Sequence, residues 1–159
     1  MSDQHSALRV KLSDIVEGLE FQSDERSSYL NMTTGEVVSV TLEELRAAEE
    51  DEPLEEFPAW QHEAIRIARD IVETDHYLPL PDRFEINEYR IMERFCLSRE
   101  DDDMCDDLCN AIRGRGAFRR FKDRVQAYGM AAVWYRYRDA ALREIAMAWC
   151  EAHGIAYMA

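Results

Sequence analysis

No stretch of this 159-residue chain approaches the ~20 consecutive apolar residues that a membrane-spanning helix needs. The N-terminus also lacks the apolar segment of a secretory signal peptide, so we expect a cytoplasmic protein with no membrane partner. With only six glycines and four prolines, the chain is neither collagen-like nor of low complexity. Its hydrophobic content of 47% is enough to build a buried core.

The chain also lacks a set of cysteines and histidines spaced to bind a metal ion. Cys105 and Cys109 share one face of a predicted helix, but a structural zinc site needs a second close pair of thiolate or imidazole ligands. The other two cysteines, Cys96 and Cys150, and all four histidines are scattered. Without a secretion signal the cysteines are expected to be reduced thiols, and no metal or cofactor is predicted.

Common enzyme signatures are also absent. The chain has no phosphate-binding P-loop, no G-x-S-x-G nucleophile motif and no H-E-x-x-H zinc motif. With 33 acidic residues, pairs of neighbouring carboxylates are expected by chance alone. A non-catalytic protein is therefore favoured, although acid–base sites depend on geometry that a sequence does not display.

What the chain does have is an uneven distribution of charge. The net charge of −14 divides into −19 over residues 1–110 and +5 over residues 111–159. Such polarity indicates either that the two parts dock on each other or that the basic end meets a separate anion.

Residues 1–52 predict a short helix, a β-hairpin and a second short helix. The hairpin joins the run around Tyr29 to the run around Val38 through a turn that ends in Gly35. Thr41 and Glu44 have the spacing of a helix capping box. The acidic, proline-containing stretch 49–56 is interpreted as a solvated linker.

Residues 53–159 predict a helical domain of about five helices. Trp60, Ala64, Ile67, Ala68 and Ile71 are spaced to share one helix face. Later helices are predicted from Asp82, after Ser98, and over 116–128 and 131–153. Asp82 and Glu85 again have the spacing of a capping box. The fold class is thus mostly α (α+β), a helical bundle with a small N-terminal helix and β-hairpin, and the two parts can form one compact unit.

The densest functional signal is a basic segment over residues 113–124, with five arginines and one lysine in twelve residues. Glycines at a helix entrance expose backbone N–H groups that attract anions. The candidate anion-binding residues are Arg113, Arg115, Gly116, Arg119, Arg120, Lys122 and Arg124. The two phenylalanines of the segment, Phe118 and Phe121, have the spacing of an inward-facing stripe.

A helix, a glycine-containing turn and a second helix over 101–128 also resemble a helix-turn-helix reader of DNA. The first of these helices carries Asp101, Asp102, Asp103, Asp106 and Asp107. These carboxylates would repel the phosphates, which argues against specific DNA binding.

A further group of polar residues lies at a predicted helix start, where Glu85, Glu88 and Arg90 can line a pocket with Tyr77. The other interpretation is a capped helix entrance with no ligand.

Several strings of the chain resemble the bacterial uncharacterised protein family 0158. They are residues 28–38, residues 84–95, residues 114–123, and the closing pairs and run at 134–135, 141–146 and 149–150. The resemblance covers about residues 10–155 and implies a bacterial cytoplasmic protein. It implies no activity, cofactor or catalytic residue.

The leading hypothesis is a binding or regulatory module that uses the basic segment to hold an anionic ligand or another protein. One alternative is a small hydrolase or transferase acting on a phosphorylated substrate, with Arg115, Arg119 and Arg120 as clamp and Glu85 or Glu88 as base. A further alternative is that the acidic part mimics nucleic acid.

Overall fold

A computed structural model describes residues 8–159, so the first seven residues of the predicted N-terminal domain lie outside the described range. Over residues 8–159 the chain forms eight α-helices, seven of them longer than one turn, and five short strands. The helices are α1 Leu12–Glu20, α2 Leu42–Glu49, α3 His62–Glu73, α4 Arg83–Ile86, α5 Glu88–Leu97, α6 Asp102–Ala111, α7 Ala117–Ala127 and α8 Ala131–Ala152. The strands are β1 Arg9–Lys11, β2 Arg26–Asn31, β3 Val37–Thr41, β4 Tyr77–Pro79 and β5 Ala156–Met158. The fold is mostly α with a small β part, as predicted.

The predicted hairpin is confirmed as β2 and β3, which pair antiparallel with Ser28 opposite Ser39. Gly35 has a φ of +82° at the end of the turn, a conformation that a side chain would strain. The Asn31 side chain accepts hydrogen bonds from the N–H groups of Thr33 and Thr34 (2.8 and 3.2 Å) and so closes the turn. Strand β4 adds to the free edge of β2, which gives a three-stranded sheet in the order β3-β2-β4.

Helices cover both faces of this sheet. On one face Ser28 donates a hydrogen bond from its hydroxyl to the Gly18 carbonyl of α1 (2.9 Å). On the other face Val40 packs with Ala48 of α2 and Ala68 of α3. The alternation of side chains along β3 therefore places α1 on one side of the sheet and the α2–α3 pair on the other.

At Gly18, helix α1 packs closely against Val37 of β3 and against Leu80. A Cβ atom added there would lie 2.7 Å from Leu80 Cδ2 and 2.9 Å from Val37 Cγ1.

The substitution Gly18→Ala has two opposing effects on stability. The higher helix propensity of alanine stabilises the helix by about 1 kcal/mol, whereas overpacking costs about 1–3 kcal/mol. We therefore expect Gly18→Ala to lower the free energy of unfolding by about 1 kcal/mol, measured by urea denaturation. Glu17→Ala, at an exposed neighbouring position, is the control and is expected to change stability by less than about 0.5 kcal/mol. A Gly18→Ala protein as stable as wild type would contradict close packing here.

The capping box that opens α2 is also confirmed. The Thr41 hydroxyl accepts from the Glu44 N–H (3.1 Å), and the Glu44 carboxylate accepts from the Thr41 N–H (2.9 Å). The acidic stretch 49–56 then connects α2 to α3, which pack against each other, and most of its side chains are exposed. Trp60 does not belong to the buried stripe of α3. It lies in a 3-10 turn before that helix and is 79% exposed, so that part of the prediction was wrong.

The helix count exceeds the about five of the predicted bundle, in part because the helix predicted from Asp82 is two helices. Asn87 has a φ of +50°, a left-handed conformation that asparagine tolerates better than most residues. Its side chain accepts from the Arg90 N–H (3.2 Å) and so caps α5. The single turn α4 therefore ends at Ile86, and a new helix begins at Glu88.

Strand pairing also joins the two ends of the described chain. β1 and β5 pair in parallel, with Val10 opposite Tyr157. Neither strand was predicted from the sequence, because each has only three residues and paired residues such as Val10 and Tyr157 are 147 positions apart.

The chain divides into two compact units. The first unit comprises residues 1–86 and 145–159, and the second comprises residues 87–144. The first unit carries 7 Lys/Arg against 22 Asp/Glu, a net charge of −15, and the second carries 12 against 11, a net charge of +1. The predicted division between residues 52 and 53 concerns which segments fold independently, and it stays a prediction.

Among the described helices, none combines the length and the apolar character needed to cross a bilayer.

Candidate functional site

The second unit is organised around four aromatic rings. Phe95 of α5 contacts Phe121 of α7, with 5.9 Å between ring centroids, and Trp134 of α8 at 5.2 Å. Phe121 and Trp134 lie 4.8 Å apart, and Tyr137 completes the cluster at 5.3 Å from Phe95. The ring of Phe95 packs edge to face with the rings of its three neighbours, and this arrangement is more favourable than a face-to-face sandwich. This cluster holds α5, α7 and α8 together and sets the position of the basic segment.

The basic segment begins in the loop between α6 and α7. Gly114 and Gly116 have φ values of +73° and +74°, so the loop uses a backbone conformation that glycine adopts without strain. Gly116 is the residue before α7, and no side chain caps the first backbone N–H groups of that helix. The first turn of α7 also contains no acidic residue. These N–H groups therefore carry the partial positive charge of a helix start.

Arg120 holds this loop in place. Its guanidinium donates from Nε to the Ala111 carbonyl (2.9 Å). The two terminal nitrogens donate to the carbonyl oxygens of Arg113 and Arg115. The planar fork of the guanidinium thus serves three carbonyls, one of them at the end of α6. Arg120 is therefore a support of the loop rather than a cation directed at an external ligand.

Arg124 is also engaged within the unit. Its guanidinium lies 2.8 Å from the Asp107 carboxylate, which also accepts a hydrogen bond from the Tyr128 hydroxyl (2.8 Å). This hydrogen bond to Asp107 raises the pKa of Tyr128. Since the ion pair joins α6 to α7, one aspartate of the acidic helix neutralises one arginine of the basic segment.

The remaining arginines of the segment are exposed. The side chains of Arg115 and Arg119 make no ion pair or hydrogen bond with any residue between 8 and 159. Arg113 is exposed as well. Burial raises the pKa of the nearby Cys109 thiol, and the charge of Arg113 acts in the opposite direction with a smaller effect. The loop and the first turn of α7 therefore present three cations to solvent.

Lys122 lines a cavity of about 300 Å³ that Arg113, Arg115 and Arg119 do not line. The cavity is also lined by Glu88 and Arg138, which form an ion pair. Its other lining residues are aromatic: Phe118, Phe121, Trp134 and Tyr135.

The residues predicted to share a pocket lie in both units. Tyr77 belongs to the first unit, where its hydroxyl accepts from the Asn31 side-chain amide (3.3 Å) and burial raises its pKa. Glu85 accepts from the Asp82 N–H (2.9 Å) in a second capping box. Glu88 belongs to the second unit and lines the cavity there, while Arg90 is exposed on α5. Glu88 is thus the one member of the group that lines the cavity.

All four cysteines are free thiols. Burial, followed by the neighbouring thiols of Cys109 and Cys105, raises the pKa of Cys96 to about 12. Burial raises the pKa of Cys150 to about 11. The Sγ atoms of Cys105 and Cys109 lie 4.0 Å apart on consecutive turns of α6. Because a thiolate is the reactive form, these raised values leave Cys96 and Cys150 protonated and unreactive at neutral pH.

In the part of the chain that the structure describes, no group of three or more His, Cys, Asp or Glu side chains is arranged to hold a metal ion.

Three residues that line the cavity were not among the site residues predicted from the sequence: Trp134, Tyr135 and Arg138. The usable signal was a matching spacing on two helices. Phe118 and Lys122 are four residues apart on α7, and Trp134 and Arg138 are four residues apart on α8. This spacing places an aromatic ring beside a cation on one face of each helix.

A protein-family model described as Uncharacterised protein family (UPF0158) matches residues 5–159. Neither the search of curated proteins nor the search of solved structures finds a match.

Proposed function

The chain belongs to the uncharacterised protein family UPF0158, and we propose from its own geometry that it is a non-catalytic binding module that holds an anionic partner. The partner would bind at the entrance to α7, on a surface formed by Arg113, Arg115, Gly116 and Arg119, which we call the entrance surface. One observation carries the proposal. Arg115 and Arg119 flank an uncapped helix start, and within residues 8–159 they have no internal partner.

Each component of the entrance surface favours an anion. A guanidinium binds carboxylate or phosphate through two parallel hydrogen bonds. The uncapped N–H groups after Gly116 add donors that point in the direction of the helix start. Since Arg120 donates to the carbonyls of Arg113 and Arg115, the backbone of the loop is held in place before a partner arrives. Preorganisation of this kind reduces the entropy lost on binding.

The acidic residues of the second unit limit what kind of anion fits. Asp101, Asp102 and Asp103 lie at the start of α6, about 14 Å along its axis from the loop. That distance exceeds the screening length of about 8 Å at physiological salt. A localised carboxylate or phosphate group at the entrance surface therefore lies beyond the screening length of these three carboxylates. Asp107 is paired with Arg124, which leaves Asp106 as the nearer exposed carboxylate of α6. A long nucleic-acid duplex would pass close to all of them.

Binding of two probes tests the proposal: inorganic tripolyphosphate by calorimetry, and a fluorescent hexaglutamate peptide by anisotropy. We expect the wild-type chain to bind at least one of them at low salt and less tightly as salt rises, because each ionic contact adds to the salt dependence. The double variant Arg115→Ala/Arg119→Ala should weaken that binding about tenfold or more, since a hydrogen bond to a charged group contributes about 1.5–3 kcal/mol.

The matched control is Arg94→Ala/Arg136→Ala, which removes the same charge from exposed positions on α5 and α8 of the same unit. This control should retain most of the affinity. Equal losses of affinity in the two double variants would mean that binding depends only on the net charge of the protein. The entrance surface would then not be a specific site. Absence of binding by wild type at low salt would also overturn the proposal.

No contact favours the hydrolase or transferase alternative. Glu85 caps α4, Glu88 is paired with Arg138, and Arg120 is occupied by the loop carbonyls. The nucleic-acid mimic rests only on the net charge of −15 in the first unit, and we do not propose it.

A further inference from the structure

The cavity of the second unit has a fixed aromatic floor. Trp134 is 5% exposed and Phe121 is 1% exposed, and both belong to the aromatic cluster around Phe95. Their rings contact several neighbours each, so they have little freedom to rotate into the cavity and fill it. The space is therefore a stable feature of the packing between α7 and α8.

The rim of the cavity carries two further aromatic rings that are open to solvent. Tyr135 is 57% exposed and Phe118 is 46% exposed. The Phe118 ring lies edge to face with Tyr89, at 6.5 Å between centroids, and the Tyr89 hydroxyl donates to the Ile112 carbonyl (3.0 Å). Tyr89 therefore restricts the movement of the Phe118 ring at the rim of the cavity. Exposed aromatic rings above a buried aromatic floor form a surface on which a flat ligand ring can stack.

The charges of the residues that line the cavity indicate which charge a ligand should carry. Glu88 neutralises Arg138, because the two side chains form an ion pair. Lys122 makes no ion pair or hydrogen bond with any residue of the described chain, so the wall keeps a net charge of +1. A single negative charge on the ligand matches this wall. A di- or trianion would bring excess negative charge close to Glu88.

The volume of about 300 Å³ limits the size of the ligand. At an interior packing density of about 0.75, such a space holds roughly a dozen non-hydrogen atoms. That size corresponds to one or two fused rings with a short substituent.

We propose that this cavity binds a small aromatic monocarboxylate, with its ring stacked among Phe118, Trp134 and Tyr135 and its carboxylate on the Lys122 ammonium. The proposal does not rest on the entrance surface, because Arg113, Arg115 and Arg119 do not line the cavity.

Calorimetry with 2-naphthoate on the full chain tests this site, with the Trp134 indole N–H resonance as a second readout in NMR. For a ligand of this size we expect a Kd between about 10 μM and 1 mM. The neutral isostere 2-naphthamide and the non-aromatic cyclohexanecarboxylate should each bind about tenfold more weakly or not at all. Failure of 2-naphthoate to bind, or equal affinity for either comparison compound, would overturn the proposal.

Two variants locate the binding. Lys122→Met removes the charge and keeps most of the side-chain length, and it should weaken 2-naphthoate about tenfold or more. Arg136→Met removes the same charge from an exposed position on α8 that does not line the cavity, and it should leave 2-naphthoate affinity unchanged. Equal affinities of the wild type and Lys122→Met would contradict the site.

The two proposals can fail separately. Arg115→Ala/Arg119→Ala is expected to lose tripolyphosphate or hexaglutamate binding while it keeps 2-naphthoate binding. Loss of 2-naphthoate in that variant would mean that the two sites are not distinct, which also overturns the cavity proposal.

Discussion

Replacement of Arg120 by alanine is expected to lower the free energy of unfolding by about 2 kcal/mol, because hydrogen bonds to a charged group contribute about 1.5–3 kcal/mol and exposure reduces that value here. The guanidinium donates to the carbonyls of Ala111, Arg113 and Arg115, and no other side chain within residues 8–159 donates to these three carbonyls. The Tyr89 hydroxyl donates to the neighbouring carbonyl of Ile112. Without it the loop before α7 loses its support. Urea denaturation followed by circular dichroism measures the change.

Arg119 is the matched control for this experiment. It is the adjacent residue, carries the same charge, and makes no contact of this kind within residues 8–159. Arg119→Ala is expected to alter stability by less than about 0.5 kcal/mol. Arg120→Lys should recover only part of the loss, because an ammonium cannot reproduce the planar fork of donors. If Arg119→Ala and Arg120→Ala have the same effect, the loop contacts of Arg120 contribute nothing.

A larger loss is expected at Phe95. Its side chain is fully buried and contacts three aromatic rings, and the Arg99 guanidinium lies 3.9 Å from its ring centroid. Truncation of a buried phenylalanine to alanine costs about 3–5 kcal/mol, because the surrounding structure only partly fills the cavity left behind. Phe95→Ala is therefore expected to unfold at a much lower denaturant concentration than wild type, or to be unfolded under native conditions.

Leu97 provides the control on the same helix. It lies two residues further on, is 63% exposed, and should tolerate alanine with a change below about 0.5 kcal/mol. Phe95→Leu keeps most of the apolar volume and should lie between wild type and Phe95→Ala. Comparable stability of Phe95→Ala and Leu97→Ala would contradict a central role of the aromatic cluster.

The elements that the sequence predicted correctly depend on short-range chemistry. The Thr41–Glu44 capping box, the hairpin turn at Gly35 and the second box at Asp82–Glu85 each involve residues within a few positions of one another. Local hydrogen bonds and a backbone preference determine such features, and a sequence displays both. The same applies to the glycine-containing loop before α7.

The features that were missed depend on partners far away in the chain or on one residue that interrupts a pattern. The pairing of β1 with β5 needs two segments that are separated by most of the sequence. The helical spacing of apolar residues before and after Asn87 gives no sign that the helix is interrupted there. Trp60 has the spacing of the α3 stripe but precedes the helix start, so its position on that face is lost.

The candidate site was located by the sequence but not resolved into its parts. Composition alone identified the basic segment, since five arginines in twelve residues stand out. It could not separate Arg119 from Arg120, because neighbouring residues on a helix point about 100° apart and their surroundings decide their roles. Likewise Phe118 and Phe121 share a spacing of three, yet Phe121 is buried and Phe118 lies at the rim of the cavity.

The discontinuous first unit has a consequence for the order of folding. Residues 87–144 form their unit from one uninterrupted stretch, whereas the first unit needs segments from both sides of it. The pairing of β1 with β5 closes a loop that contains the whole of the second unit. Because closing a long loop costs more conformational entropy than forming contacts between near neighbours, we expect this pairing to form late in folding.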